Sequence, residues 1–130
     1  MGNILVVDDE PEIVTLLRFL LEKEGHAVSA ATNGQDALKA LGIEPLDPAV
    51  KLPDLMILDI MMPVMDGFTL NSRLQDSPAA RDLPVIVLTA KGQKMRDLFQ
   101  SSPNVAAYVQ KPFDPKMLKD LIAGILSRKK

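Results

Sequence analysis

Three unbroken apolar runs each end on a residue capable of chemistry. Ile4-Leu5-Val6-Val7 runs into Asp8 and Asp9, Leu55-Met56-Ile57-Leu58 into Asp59, and Val85-Ile86-Val87-Leu88 into Thr89. Runs this short and this apolar read as strands buried on both faces, the condition of a parallel sheet covered by helices. A weaker strand is expected from His26 to Ala31, and a short final one at Ala107-Tyr108-Val109, ending near Lys111. Between the strands, apolar residues recur at helical spacing. Ile13, Val14, Leu16, Leu17, Leu20 and Leu21 give a first helix, with Pro11 suited to its first turn and Gly25 to its stop. Asn33-Gly34 marks a turn, and Ala37, Leu38 and Leu41 a short second helix. Phe68, Leu70 and Leu74 mark a third, capped around Asp66-Gly67. Met95, Leu98 and Phe99 mark a poorer fourth. Asp114-Pro115 opens the last, whose apolar face is Met117, Leu118, Leu121, Ile122, Ile125 and Leu126. Strand and helix alternate about five times, which implies an α/β domain with a parallel sheet and helices on both faces.

A length of 130 residues allows one domain with a proper core and not two, so a single domain over residues 1–130 is expected, with 128–130 a basic tail or linker stub. A net charge of −2 offers no basic face for nucleic acid. The absence of cysteine excludes disulfides, thiol nucleophiles and Cys-based zinc sites. No apolar run is long enough to cross a bilayer, and Met1-Gly2-Asn3 leads straight into a strand with no signal peptide, so a cytoplasmic location is expected. The stretch from Gly42 to Pro53 contains three prolines and no period. It reads as a long loop, with Leu46, Val50 and Leu52 packing locally by default or, alternatively, forming a partner surface. His26 has no second His or Cys for company and reads as a strand-edge residue.

In open α/β sheets, ligands bind beyond the carboxyl ends of the strands. Those ends carry Asp8 and Asp9, Asp59, Thr89 and Lys111. Any one aspartate at a strand end is commonly a turn or capping residue. Three acids, a hydroxyl and an ammonium converging on one edge make a different case. The acids would repel one another, and a hard divalent cation would remove the conflict. Oxygen ligation suits Mg²⁺, with Mn²⁺ as a substitute. A cation beside one reactive carboxylate, with Lys and Thr donors, forms a trap for a phosphoryl group, and carboxylates can serve as the accepting nucleophile.

Four segments in order resemble the response-regulator receiver domains of two-component signalling. Val6-Val7-Asp8-Asp9-Glu10-Pro11 is similar to the acidic-pocket segment, and Asp59-Ile60-Met61-Met62-Pro63-Val64-Met65-Asp66-Gly67 to the phosphoacceptor segment. Leu88-Thr89-Ala90 resembles the segment of the phosphate-sensing hydroxyl, and Tyr108-Val109-Gln110-Lys111-Pro112-Phe113 that of the lysine and its following proline. The resemblance covers essentially the whole chain. It implies a flavodoxin-like, doubly wound, five-stranded parallel sheet of order 2-1-3-4-5. It implies that Asp59 accepts a phosphoryl group from the phosphohistidine of a histidine kinase or phosphotransfer protein. Asp9 and Asp59 would hold Mg²⁺ directly, Asp8 through a water, and the Met61 carbonyl would add a ligand. Thr89 would move to meet the phosphoryl oxygens, and Lys111 would pair with them. Tyr108, by default a half-buried core aromatic, would report the position of Thr89. Lys111-Pro112 would be a cis peptide. Met61 and Lys91 would tune the lifetime of the phosphorylated state.

Such a chain is a self-phosphorylating and self-dephosphorylating acceptor, not a turnover enzyme. Its expected partners are the kinase and an output protein, without nucleic acid or membrane, and it would be a monomer or a weak phosphorylation-dependent dimer. The alternative is a non-phosphorylated receiver-like interaction module, against which the full acid pocket argues. A haloacid-dehalogenase-type phosphatase wants a second Asp where Met61 stands, and the Gly-rich segment of P-loop enzymes is absent.

Overall fold

The computed structural model describes residues 2–59, 67–89, 104–111 and 113–128. Its elements are β1 (Asn3–Val7), α1 (Pro11–Lys23), β2 (Ala27–Ala31), α2 (Gly34–Ala40), β3 (Leu55–Asp59), α3 (Gly67–Gln75), β4 (Val85–Thr89), β5 (Val105–Gln110) and α4 (Pro115–Arg128). The five strands form one parallel sheet in the order β2-β1-β3-β4-β5. The expected sheet and strand order are therefore present. The expected helix around Met95 to Phe99 lies outside the described residues. Among the described residues no helix is long and apolar enough to cross a membrane.

The period-two alternation of strand side chains divides the core into two layers. Leu5, Val7, Met56, Leu58, Val85 and Val87 point to one face and pack with Leu38 of α2 and Leu70 and Leu74 of α3. Ile4, Val6, Leu55, Ile57, Ile86 and Leu88 point to the other and pack with Leu17 and Leu21 of α1 and Leu118, Ile122 and Ile125 of α4. Both faces of β1, β3 and β4 are thus covered, which is why those strands are continuous apolar runs.

Local chemistry sets the ends of the elements. Pro11 opens α1, and Gly25 at φ 90° takes the chain out of it toward β2. Pro115 opens α4, and Asp114 Oδ1 accepts from the Lys116 N–H at 3.0 Å. Asn33-Gly34 is a helix start instead of the expected turn. Asn33 is the N-cap of α2, its Oδ1 accepting from the Asp36 N–H at 2.8 Å, and Gly34 is the first helical residue. The same side-chain acceptor that makes Asn a turn former makes it a cap.

Loop 42–53 folds back tightly. Gly42 has φ +71°, and a Cβ there would lie 2.5 Å from the Asp47 carbonyl oxygen and 2.8 Å from Val50 Cβ. The Asp47 N–H donates to the Gly42 carbonyl at 2.8 Å, and the Ala49 N–H to Asp47 Oδ1 at 3.0 Å. Leu52 packs on the α2–α3 layer as expected, and Val50 sits against Gly42. Leu46 does not pack: it is 80% exposed, because the turn closed by Asp47 carries it outward.

Candidate functional site

The acids stand where the strands of the sheet end. Asp8 follows β1 and is 1% exposed; Asp59 closes β3 and is 3% exposed. Pairing of β1 with β3 puts Val7 opposite Leu58, so the two acids leave the sheet side by side. Burial of Asp8 is supported on each oxygen. Its Oδ1 accepts from the Glu10 N–H at 2.9 Å, and its Oδ2 from Lys111 Nζ at 3.1 Å. Its own N–H donates to the Ala31 carbonyl at 3.1 Å, which extends the β1–β2 ladder by one residue.

Lys111 follows β5, on the far side of β4 from β3, and its side chain reaches back over the strand ends. Its ammonium lies 3.1 Å from Asp8 Oδ2, 3.5 Å from Asp59 Oδ2 and 3.1 Å from Glu10 Oε1. Burial by itself would lower the lysine's pKa. The hydrogen bonds that the ammonium donates to Glu10 and Asp8, and the charge of Asp59, outweigh that, so the group is held above its ordinary 10.5 and fully charged at neutral pH.

Asp8, Asp9, Glu10 and Asp59 each offer a carboxylate oxygen, and these oxygens all lie within 4.8 Å of one another. Hard oxygen donors at this spacing, with a cationic group already drawn among them, fit a hard cation. The structure thus brings together Asp8, Asp9, Asp59 and Lys111 of the expected site. Thr89 ends β4, with its backbone beside Gln110. Tyr108 pairs with Val87 and is half-buried against the α2–α3 layer, in line with its reading as a core aromatic. Met61, Lys91 and Pro112, and with them the expected carbonyl ligand, lifetime residues and cis peptide, lie outside the described residues, as does the side chain of Thr89.

Two features escaped the sequence. Glu10 belongs to the acid cluster and holds Lys111. Its signal was available, as a third consecutive acid at the end of a strand. The second is that the acids do not face one another uncompensated. Lys111 stands among them as a counter-ion.

The family model described as "Response regulator receiver domain" matches residues 4–123. An alkaline phosphatase synthesis transcriptional regulatory protein, PhoP of Bacillus subtilis, is 36% identical over 97% of this chain and 49% of its own length. An uncharacterised 14.6 kDa protein of Leptolyngbya boryana is 40% identical over 92% of this chain and 86% of its own. Among solved structures, the signal receiver domain of a signal transduction histidine kinase from Syntrophus aciditrophicus superposes with a TM-score of 0.83 at 32% identity, covering 100% of this chain and 93% of that one. The chain spans about half the length of several curated relatives it matches, 49% of PhoP and 52% of a Staphylococcus epidermidis response regulator, SaeR. With the sheet, the strand-end acids and the lysine in place, the match over residues 4–123 makes the chain a member of the response regulator receiver domain family, the signalling switches of two-component systems.

Proposed function

We propose that this domain is a cytoplasmic switch in which Asp59 accepts a phosphoryl group from the phosphohistidine of a partner histidine kinase or phosphotransfer protein. The observation that carries this reading is the Lys111 ammonium, within 3.5 Å of the buried Asp59 carboxylate and 3.1 Å of Asp8. It supplies positive charge where the oxygens of a transferring group would gather. In the transfer, a carboxylate oxygen of Asp59 bonds to phosphorus as the phosphorus–nitrogen bond breaks. The electron pair of that bond stays on the imidazole nitrogen, leaving a neutral histidine once its proton balance is restored by solvent. Asp9 and Asp59 would hold Mg²⁺ (or Mn²⁺) directly, with Asp8 and the Met61 carbonyl assisting. When bound, the metal would neutralise charge on the transferring oxygens. Asp8 is held in place for this by the Glu10 N–H at its Oδ1.

Thr89 is proposed to meet the phosphoryl oxygens, and Tyr108 to relay the change to an output partner. The apolar side chain of Met61 offers no group to orient an attacking water, and Lys91 no general base. Slow self-dephosphorylation is the expected result.

The test is direct. With Mg²⁺ and acetyl phosphate, intact mass should rise by one phosphoryl group, and chelation or Asp59→Asn should abolish the gain. Modification that survives in Asp59→Asn would mean that another residue is the acceptor.

A further inference from the structure

Glu10 sits at the N-cap of α1, where the short side chains of Ser, Thr, Asp or Asn would accept from the free N–H groups of the first turn. It makes no such bond. Its Oε1 accepts instead from Lys111 Nζ at 3.1 Å, while its backbone N–H holds Asp8. The three carboxylates around the ammonium are not equivalent. The side chains of Asp8 and Asp59 are 1% and 3% exposed, and that of Glu10 is 51% exposed. Lys111 is therefore shared between two acids in the floor of the pocket and one at its rim. The floor acids are among those a divalent cation would need, and an ammonium and a divalent cation competing for them repel each other.

We propose that Glu10 is a positioning residue that receives the Lys111 ammonium when a divalent cation takes the floor carboxylates. Lys111 is then a displaceable internal counter-ion. The inference rests on the metal-dependent reading given above. Without Glu10, the ammonium displaced from Asp8 and Asp59 loses its remaining carboxylate partner, and cation binding is weakened by that loss. With Glu10, the lysine keeps a charged partner and stays beside the pocket, poised for an incoming phosphoryl oxygen.

Mg²⁺ binding to the whole chain, read by titration calorimetry and not by phosphorylation, tests this with a double-mutant cycle. The four proteins are the parent, Glu10→Gln, Lys111→Met and the double variant, each checked by thermal melting. Lys111→Met should bind Mg²⁺ more tightly than the parent, because the competitor is gone. Glu10→Gln should weaken binding roughly two- to fivefold in the parent, the range of a half-exposed ion pair. In the Lys111→Met background the same change should stay within about twofold, the ordinary margin of additivity. Equal weakening in both backgrounds would mean that Glu10 acts on the cation directly, as a ligand or a bare charge, and overturns the proposal. A parent that binds no Mg²⁺ overturns the metal reading itself, and the positioning role with it.

Discussion

Lys111 makes three carboxylate contacts with only 14% of its side chain exposed. Its positive charge offsets the two buried carboxylates in the floor of the pocket. Replacing it by methionine keeps the aliphatic stem and removes the charge. In metal-free buffer, Lys111→Met should lose on the order of 3 kcal/mol in urea unfolding, the range for deleting one partner of a largely buried pair. Mg²⁺ should restore more stability to this variant than it adds to the parent. A variant as stable as the parent without metal would show that the ammonium does not compensate the acids. His26 offers a second test, with the opposite sense of charge. Its Nδ1 accepts from the Gly2 N–H at 3.1 Å, which requires the neutral ring. Burial, then the positive amino-terminal charge, push its pKa below 6.5, with Glu24 opposing. The folded state thus binds a proton less readily than the unfolded chain. Its contribution is present above about pH 6.5 and declines as the pH falls toward the folded value. His26→Ala should flatten the part of the stability-against-pH curve just below 6.5 that the parent shows; identical slopes would exclude the imidazole.

At the scale of elements, legibility followed burial. β1, β3 and β4 were plain because both of their faces are covered and nearly every position had to be apolar. β2 was weak for a physical reason: it is an edge strand of small residues, Ala27-Val28-Ser29-Ala30-Ala31, of which only Ala31 is fully buried. Its identity comes from pairing with β1 and not from its own pattern. The start of α2 at Gly34 was hidden because Asn33-Gly34 has the same local chemistry in a turn and in a cap. The shape of loop 42–53 was hidden for another reason. It depends on Gly42 meeting Asp47 and Val50, contacts that no period in the sequence announces. Gly42→Ala forces a side chain into a left-handed backbone and against a carbonyl. It should destabilise by about 1–3 kcal/mol. The loop leads to the amino end of β3, where the Asp54 N–H donates to the Asn3 carbonyl at 2.7 Å, at the opposite end of the sheet from the acids. Under folding conditions Gly42→Ala should therefore take up phosphoryl groups at the parent's rate, followed by intact mass over time. A slowed rate in a folded variant would mean that the loop communicates with the pocket.

For the molecule as a whole, the order β2-β1-β3-β4-β5 decides where the chemistry sits. It sets β1 beside β3 and so brings Asp8 and Asp59 together from residues 51 apart in sequence, by their numbers. The acids were legible because strand ends in such sheets share one edge. The wedge of Lys111 between them was not, since it depends on how far one side chain reaches across the end of β4. The hold of Glu10 on Lys111 was not legible because it joins residues 101 apart, and the place of Glu10 as the N-cap of α1 is a purely local one.

The tie between Lys111 and Asp8 spans 103 residues. Synthesis runs from the amino end, so Asp8 and Asp59 both leave the ribosome well before the residue that compensates them. During that interval the two acids have no access to the Lys111 ammonium, and their approach at the ends of β1 and β3 goes without that attraction. The pocket acquires its own cation only when nearly the whole domain has been made, which ties the completed electrostatics of the switch to a completed chain.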